Sequence, residues 1–160
     1  MSEVEGVSIS SASSGDLEEI RALLEATALP SEGVAEHLAD FLVARDAEGA
    51  LVGCIGLERH GRTGLLRSAA VAPRLQRSGL GSRLTTALLK RAARSGLEEM
   101  ALLTTTAREF FSRRFGFEET ERAAYDETFA RSPEWHLPRC STARFMRLKL
   151  NHFFIESMNR

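Results

Sequence analysis

The stretch Val71-Ala-Pro-Arg-Leu-Gln-Arg-Ser-Gly-Leu-Gly81 is where this sequence is best equipped for chemistry. An apolar strand pattern runs out at Val71 and two glycines follow closely. An apolar period of three and four then begins at once with Leu80, Leu84, Ala87, Leu88 and Ala92. A helix starting there leaves its first main-chain N–H groups unpartnered, with the positive end of the helix dipole behind them. Glycine at 79 and 81 lets the backbone approach a ligand without side chains intervening. The geometry suits a phosphate or diphosphate, and Arg74, Arg77 and Arg83 add positive charge. Each dipole contact is worth only about 0.3–1 kcal/mol, so several amides must act together. A Walker loop is excluded because no lysine follows the glycines, and a dinucleotide fingerprint because its third glycine is missing. A glycine-containing turn that merely starts a helix is the plainer alternative.

Other chemistries are poorly supported. His37, His60, His136 and His152 with Cys54 and Cys140 show no paired metal spacing; His136-x3-Cys140 is a single pair, and no metal is expected. No Ser-His-Asp arrangement with a nucleophile elbow is present.

Several elements must position the loop. Val7 to Ser11 alternates as a half-buried strand. Asp16 caps a helix carrying Leu17, Ile20, Leu23 and Leu24 on one face, and Leu29-Pro30 stops it. A short helical segment, Gly33 to Ala39, precedes strands at Phe41–Arg45, Leu51–Leu57 and Leu65–Val71. The long helix runs from about Gly79 to Ser95, where Gly96 ends it. Met100–Thr104 reads as a buried strand, Ala107–Arg114 as a short helix, and Phe117–Glu121 as a further strand. After an irregular stretch, Ala143–Leu150 closes with strict alternation. This pattern predicts an α+β (mixed α/β) fold around one sheet. Residues 1–150 read as one domain and 151–160 as a tail.

Composition narrows the partners. The 160 residues carry 21 Lys plus Arg against 22 Asp plus Glu, a net charge of −1, so no field advertises a nucleic acid or a membrane. Only Lys90 and Lys149 are lysine; scattered arginine of this kind reads as base composition rather than as a binding site. Hydrophobic residues make up 43%, which supports a folded core. No apolar run reaches the ~18–20 residues of a membrane span. The first twenty residues lack a basic start and an apolar stretch, and two cysteines make no disulfide scaffold, so a cytoplasmic protein is expected.

Gln76-x-x-Gly79-x-Gly81, preceded by the strand at 65–71 and Pro73, resembles the acyl-CoA signature of the GCN5-related N-acetyltransferase superfamily. Phe110-Phe-Ser-Arg-Arg-Phe-Gly-Phe117 is similar to that family's second landmark, an aromatic helix ending in Gly-Phe. The resemblance covers almost the whole chain. It implies a mostly antiparallel sheet of about six to seven strands flanked by about four helices. It also implies an acyltransferase that uses acetyl-CoA as co-substrate. A narrower similarity, in Leu65–Val71, Leu102–Ala107 and Cys140–Ala143 with Met146, is to the acetyltransferases found with arsenic-resistance determinants. The Leu-Thr-Thr…Phe-Phe…Gly-Phe run also resembles bacterial amino-acid N-acetyltransferases.

By this resemblance, Ala69, Ala70 and Val71 run beside the pantetheine, and Gln76, Arg77, Ser78, Gly79, Leu80, Gly81 and Ser82 hold the diphosphate. Phe111 joins the cofactor residues, with core packing as its other reading. The amine attacks the thioester directly, with the N–H near Val71 facing the developing oxyanion. An alkylammonium must first lose a proton. Glu58, at the end of the strand 51–57, is the candidate base, or else a solvated carboxylate at a hairpin end. Arg67 lies in an apolar strand where an unpaired guanidinium is costly. Either Glu58 neutralises it or it meets a substrate carboxylate. Relatives place a thiolate-protonating tyrosine before Gly-Phe; here the spacing offers Ser112, or water serves. Lone Tyr125 has no spacing that places it at the site. Trp135 and Ser141 border the last strand, where the family builds its acceptor pocket. The expected acceptor is a small amine, an amino acid or an amino-acid-like compound such as an organoarsenical. The rival readings are a non-catalytic acyl-CoA sensor and a peptide or protein acetyltransferase. The last strand and Phe153-Phe154-Ile155 offer surfaces for a homodimer.

Overall fold

A computed structural model describes residues 5–138 and 142–151 of the chain. The alternating and apolar runs form seven strands: β1 (Ser8–Ser11), β2 (Leu42–Arg45), β3 (Leu51–His60), β4 (Thr63–Val71), β5 (Glu99–Thr104), β6 (Glu118–Glu119) and β7 (Arg144–Lys149). Among the described residues the α-helices are α1 (Leu17–Ala26), α2 (Leu80–Arg94) and α3 (Arg108–Phe115). The expected second helical segment is a 3-10 helix, Ala35–Asp40. The strands make one sheet in the order β1-β2-β3-β4-β5-β7-β6. This is the α+β architecture expected from the sequence. None of the described helices is long and apolar enough to cross a membrane.

The described residues group into two compact units, residues 5–57 with 68–88 and residues 58–67 with 89–138 and 142–151. In the first, β2 pairs antiparallel with β1, Ser8 opposite Arg45, and with β3, Val43 opposite Cys54. The apolar face of α1 (Ile20, Leu23, Leu24) packs with Val34, Phe41, Val43, Cys54 and Ala70. Seven consecutive residues of β3, Val52 to Glu58, are buried, so this strand is covered on both faces rather than alternating. Helix α1 ends at Ala28, not through Leu29-Pro30 alone. The Leu29 N–H donates to Leu24 O and the Ala28 N–H to Glu25 O, while Ala28 takes a left-handed φ of 58°. That is a Schellman stop built without glycine.

In the second unit, β4 runs parallel to β5 from Thr63 opposite Glu99 to Leu66 opposite Leu102. Strand β7 is antiparallel to β5 along its whole length, Glu99 opposite Lys149 to Thr104 opposite Arg144. Strand β6 covers only Met146 and Arg147, shorter than the expected Phe117–Glu121. Leu65, Ala101, Phe129, Trp135 and Phe145 form the core here. Gly116, at φ 80°, turns the chain out of α3.

Candidate active site

The glycine loop lies in the first unit. Pro73–Leu75 forms a 3-10 turn that buries Leu75, and the chain then rises into α2, whose Leu80 and Leu84 are buried. Arg77 (φ 66°) and Gly79 (φ 92°) are left-handed, alternating with their neighbours. Such alternation turns successive N–H groups into one concavity, a nest suited to anions. The loop's own bonds are few: Ser78 N–H to Leu75 O at 3.2 Å, Leu80 N–H to Ser78 Oγ at 3.3 Å, and Arg83 N–H to Gly79 O at 3.1 Å. The amides of Arg77, Gly79, Gly81 and Ser82 make no hydrogen bond among the described residues. Four such donors, backed by a 15-residue helix, match the two phosphates of a diphosphate.

The side chains around the loop are largely committed to holding it. Gln76 Nε2 donates to Val71 O at 3.2 Å, tying the loop back to β4. Arg74 pairs with Asp46 at 2.7 Å, and Arg83 donates to Val7 O at 3.2 Å. Arg77 is exposed and has no ion pair among the described residues, so it is the loop arginine with a charge to offer. Beside the loop, β4 is irregular: Ser68 is buried yet left-handed at φ 58°, and Ala69 after it is exposed between buried neighbours. A non-glycine residue held this way marks a bulge that re-aims the strand.

The second unit holds the polar cluster. Strand β3 continues past Leu57 to His60, so Glu58 lies within a strand and not at its end. Glu58 and Arg67 are both sealed from solvent, with Nη1 to Oε2 at 2.8 Å. Of the two readings of Arg67, neutralisation by Glu58 is the one this geometry contains. His60 Nε2 lies 2.9 Å from Glu58 Oε1, its ring edge-on to Phe129, and Ser132 also hydrogen-bonds the carboxylate. Burial pushes the Glu58 carboxyl up, but hydrogen bonds from His60, Ser132 and Arg67 outweigh it and hold the pKa at about 2. Such a carboxylate is a stable counter-ion and a weak proton acceptor.

The remaining site residues are dispersed within this unit. Ser112 is exposed on α3, while Phe111 is buried against Phe110 and Phe117. Trp135 is buried beside Phe129 and Phe145, donates Nε1–H to Asp126 at 3.1 Å and carries Arg122 over its ring. Tyr125 donates to Glu99 Oε2 at 2.9 Å, and burial raises its hydroxyl pKa. Ser141 and Cys140 lie outside the described residues. Among the described residues no group of three His, Cys, Asp or Glu could hold a metal. Sequence reasoning missed His60 and Ser132 as partners of Glu58. The alternation along β3 signals His60, two positions on and on the same face, whereas Ser132 comes from a distant loop.

This architecture has known counterparts. The amino-acid acetyltransferase of Neisseria meningitidis is 29% identical over 133 residues, covering 76% of this chain and 30% of that protein. The chain thus spans under a third of the length of the curated relatives it matches. N-acetylglutamate synthase of Neisseria gonorrhoeae, solved with coenzyme A and N-acetyl-glutamate, superposes with a TM-score of 0.73 at 24% identity, covering 91% of this chain and 35% of that one. A Mycobacterium tuberculosis protein solved in complex with CoA superposes with a TM-score of 0.75 at 26% identity, over 90% of this chain and 99% of that one. The model of the acetyltransferase (GNAT) domain matches residues 37–119, just over half of the sequence and including the whole glycine loop. The chain belongs to the acetyltransferase (GNAT) domain family.

Proposed function

We propose that this protein transfers the acetyl group of acetyl-CoA to the amine of a small amino acid or amino-acid-like compound. The observation that carries the reading is the row of four unpartnered amides, at Arg77, Gly79, Gly81 and Ser82, at the start of α2. They take the diphosphate, Gln76 and Ser78 shape the loop around it, and the exposed Arg77 adds charge. The pantetheine follows Ala69, Ala70 and Val71, whose small side chains leave the main chain accessible. CoA in the gonococcal and mycobacterial structures supports the donor, and the names of the Neisseria relatives support an amino-acid acceptor.

The amine nitrogen, once neutral, forms a bond to the acetyl carbonyl carbon as the carbon–sulfur bond breaks. Negative charge develops on the carbonyl oxygen, where a main-chain N–H near Val71 stabilises it. Water takes the proton that the attacking nitrogen gives up, and water, directly or relayed through the Ser112 hydroxyl, returns one to the departing thiolate. Glu58, the candidate base of the sequence, serves in this reading as the fixed anion that holds Arg67 and His60, and solvent takes the ammonium proton. Phe111 is assigned to the cofactor side, and Arg67, Trp135 and Ser141 to the acceptor.

The test is release of free thiol from acetyl-CoA with a panel of amino acids, glutamate analogues, arsenical amino acids and a lysine peptide. Release with amino acids is expected, and release with the arsenical amino acids places the acceptor in that narrower class. Transfer to the peptide alone replaces the small-acceptor reading. Tight acetyl-CoA binding with no transfer to any amine identifies a sensor instead, a reading favoured by the absence of tyrosine from α3.

A further inference from the structure

Resting on the acetyl-CoA reading, we propose that Gly53 and Cys54 of β3 are positioning residues that set the peptide planes of the acyl-donor strand. Ser68 is held left-handed inside a strand, a conformation that surrounding contacts must enforce. Its carbonyl does not point at random: the fully buried Cys54 thiol donates to Ser68 O at 3.3 Å. The peptide bond is trans, so the N–H of Ala69 leaves the strand on the side away from Cys54. Ala69 is the one residue of β4 exposed to solvent, which places that peptide where a thioester or pantetheine amide can reach it.

Gly53 acts two peptides further on, between Ala70 and Val71. A Cβ at this position would lie 3.4 Å from Ala70 O and 2.9 Å from Leu84 Cδ1. Glycine there lets the Ala70 carbonyl and Leu84 of α2 settle onto β3 together. Adjacent residues of one strand thus hold the bulge from opposite faces of the sheet, Cys54 on the α1 side through a donor and Gly53 on the α2 side through lack of volume. Neither touches the ligand. Their effect runs through the main chain of residues 68–70.

Two ligands separate this role from general damage: acetyl-CoA, and 3′-phospho-ADP, the nucleotide half that carries the diphosphate without the pantetheine. Affinities are measured by calorimetry on the intact chain, with far-UV circular dichroism and melting to confirm folding. Cys54→Ala is expected to weaken acetyl-CoA about threefold, the worth of one weak hydrogen bond. It should leave 3′-phospho-ADP unchanged. Cys54→Ser keeps a donor and should restore acetyl-CoA affinity to within about twofold. Gly53→Ala moves Leu84 as well, so it should weaken both ligands. Should Cys54→Ala fail to fold, Cys54→Val fills the space without a donor and is expected to give the same split. In a folded variant lacking the donor, unchanged acetyl-CoA affinity or equal loss of both ligands overturns the Cys54 role, as does a loss in Cys54→Ser as large as in Cys54→Ala. Unchanged affinity for acetyl-CoA in folded Gly53→Ala overturns the Gly53 role. Failure of the unaltered protein to bind acetyl-CoA removes the cofactor reading itself, and this inference with it.

Discussion

Glu58 is an ionised carboxylate sealed from solvent beside Arg67. Its pKa falls from 4.5 to about 2 on folding, so its contribution to stability is complete above pH 4.5 and drains away as pH falls toward 2. The shift corresponds to about 3 kcal/mol. Urea unfolding midpoints should hold steady from pH 7 to about 5 and then drop through that window. In Glu58→Gln, stability at pH 7 should fall by about 3–5 kcal/mol because the buried Arg67 loses the negative charge 2.8 Å away, and the Glu58 share of the acid dependence should vanish. A variant as stable as the parent would show that the pair is not sealed in solution. At the loop, Gly79→Ala forces a side chain into φ 92° and should weaken CoA binding at least about fivefold by calorimetry. The glycines and the Glu58–Arg67 couple were legible because their residue types sit oddly in their surroundings. Ser68 was not: nothing about a serine in a small-residue strand announces a left-handed backbone.

Among the elements, periodicity located the long helix and the apolar strands, because burial on one face imposes it directly. It failed where tertiary contacts replace propensity. Strand β3 runs three residues beyond Leu57 because Glu58 and His60 find hydrogen-bonding partners that make a charged strand end tolerable in the interior. The stretch after α3 pairs over only two residues, Glu118 and Glu119. The stop of α1 was hidden too, since an alanine occupies the left-handed site that glycine prefers. Ala28→Gly should therefore relieve strain and raise stability by about 1 kcal/mol, read as a higher melting temperature. A lower melting temperature would mean that the methyl packs more than it strains.

For the molecule as a whole, net charge and composition could not name an acceptor, which depends on side chains brought together from distant positions in the sequence. Ligand binding to the folded state should be visible globally. CoA at about a hundred times its dissociation constant adds about 2.7 kcal/mol, a rise of roughly 5–10 °C in melting temperature for a chain of this size. Differential scanning fluorimetry would register it, and an unmoved transition at millimolar CoA argues against the cradle. The hydrogen bond from Arg83 to the carbonyl of Val7 carries a practical corollary. The opening turn of α2 is moored to the residue just before β1, so an affinity handle fused upstream pulls on the segment to which we assign the nucleotide. Binding constants taken with such a handle in place should differ from those taken after its removal.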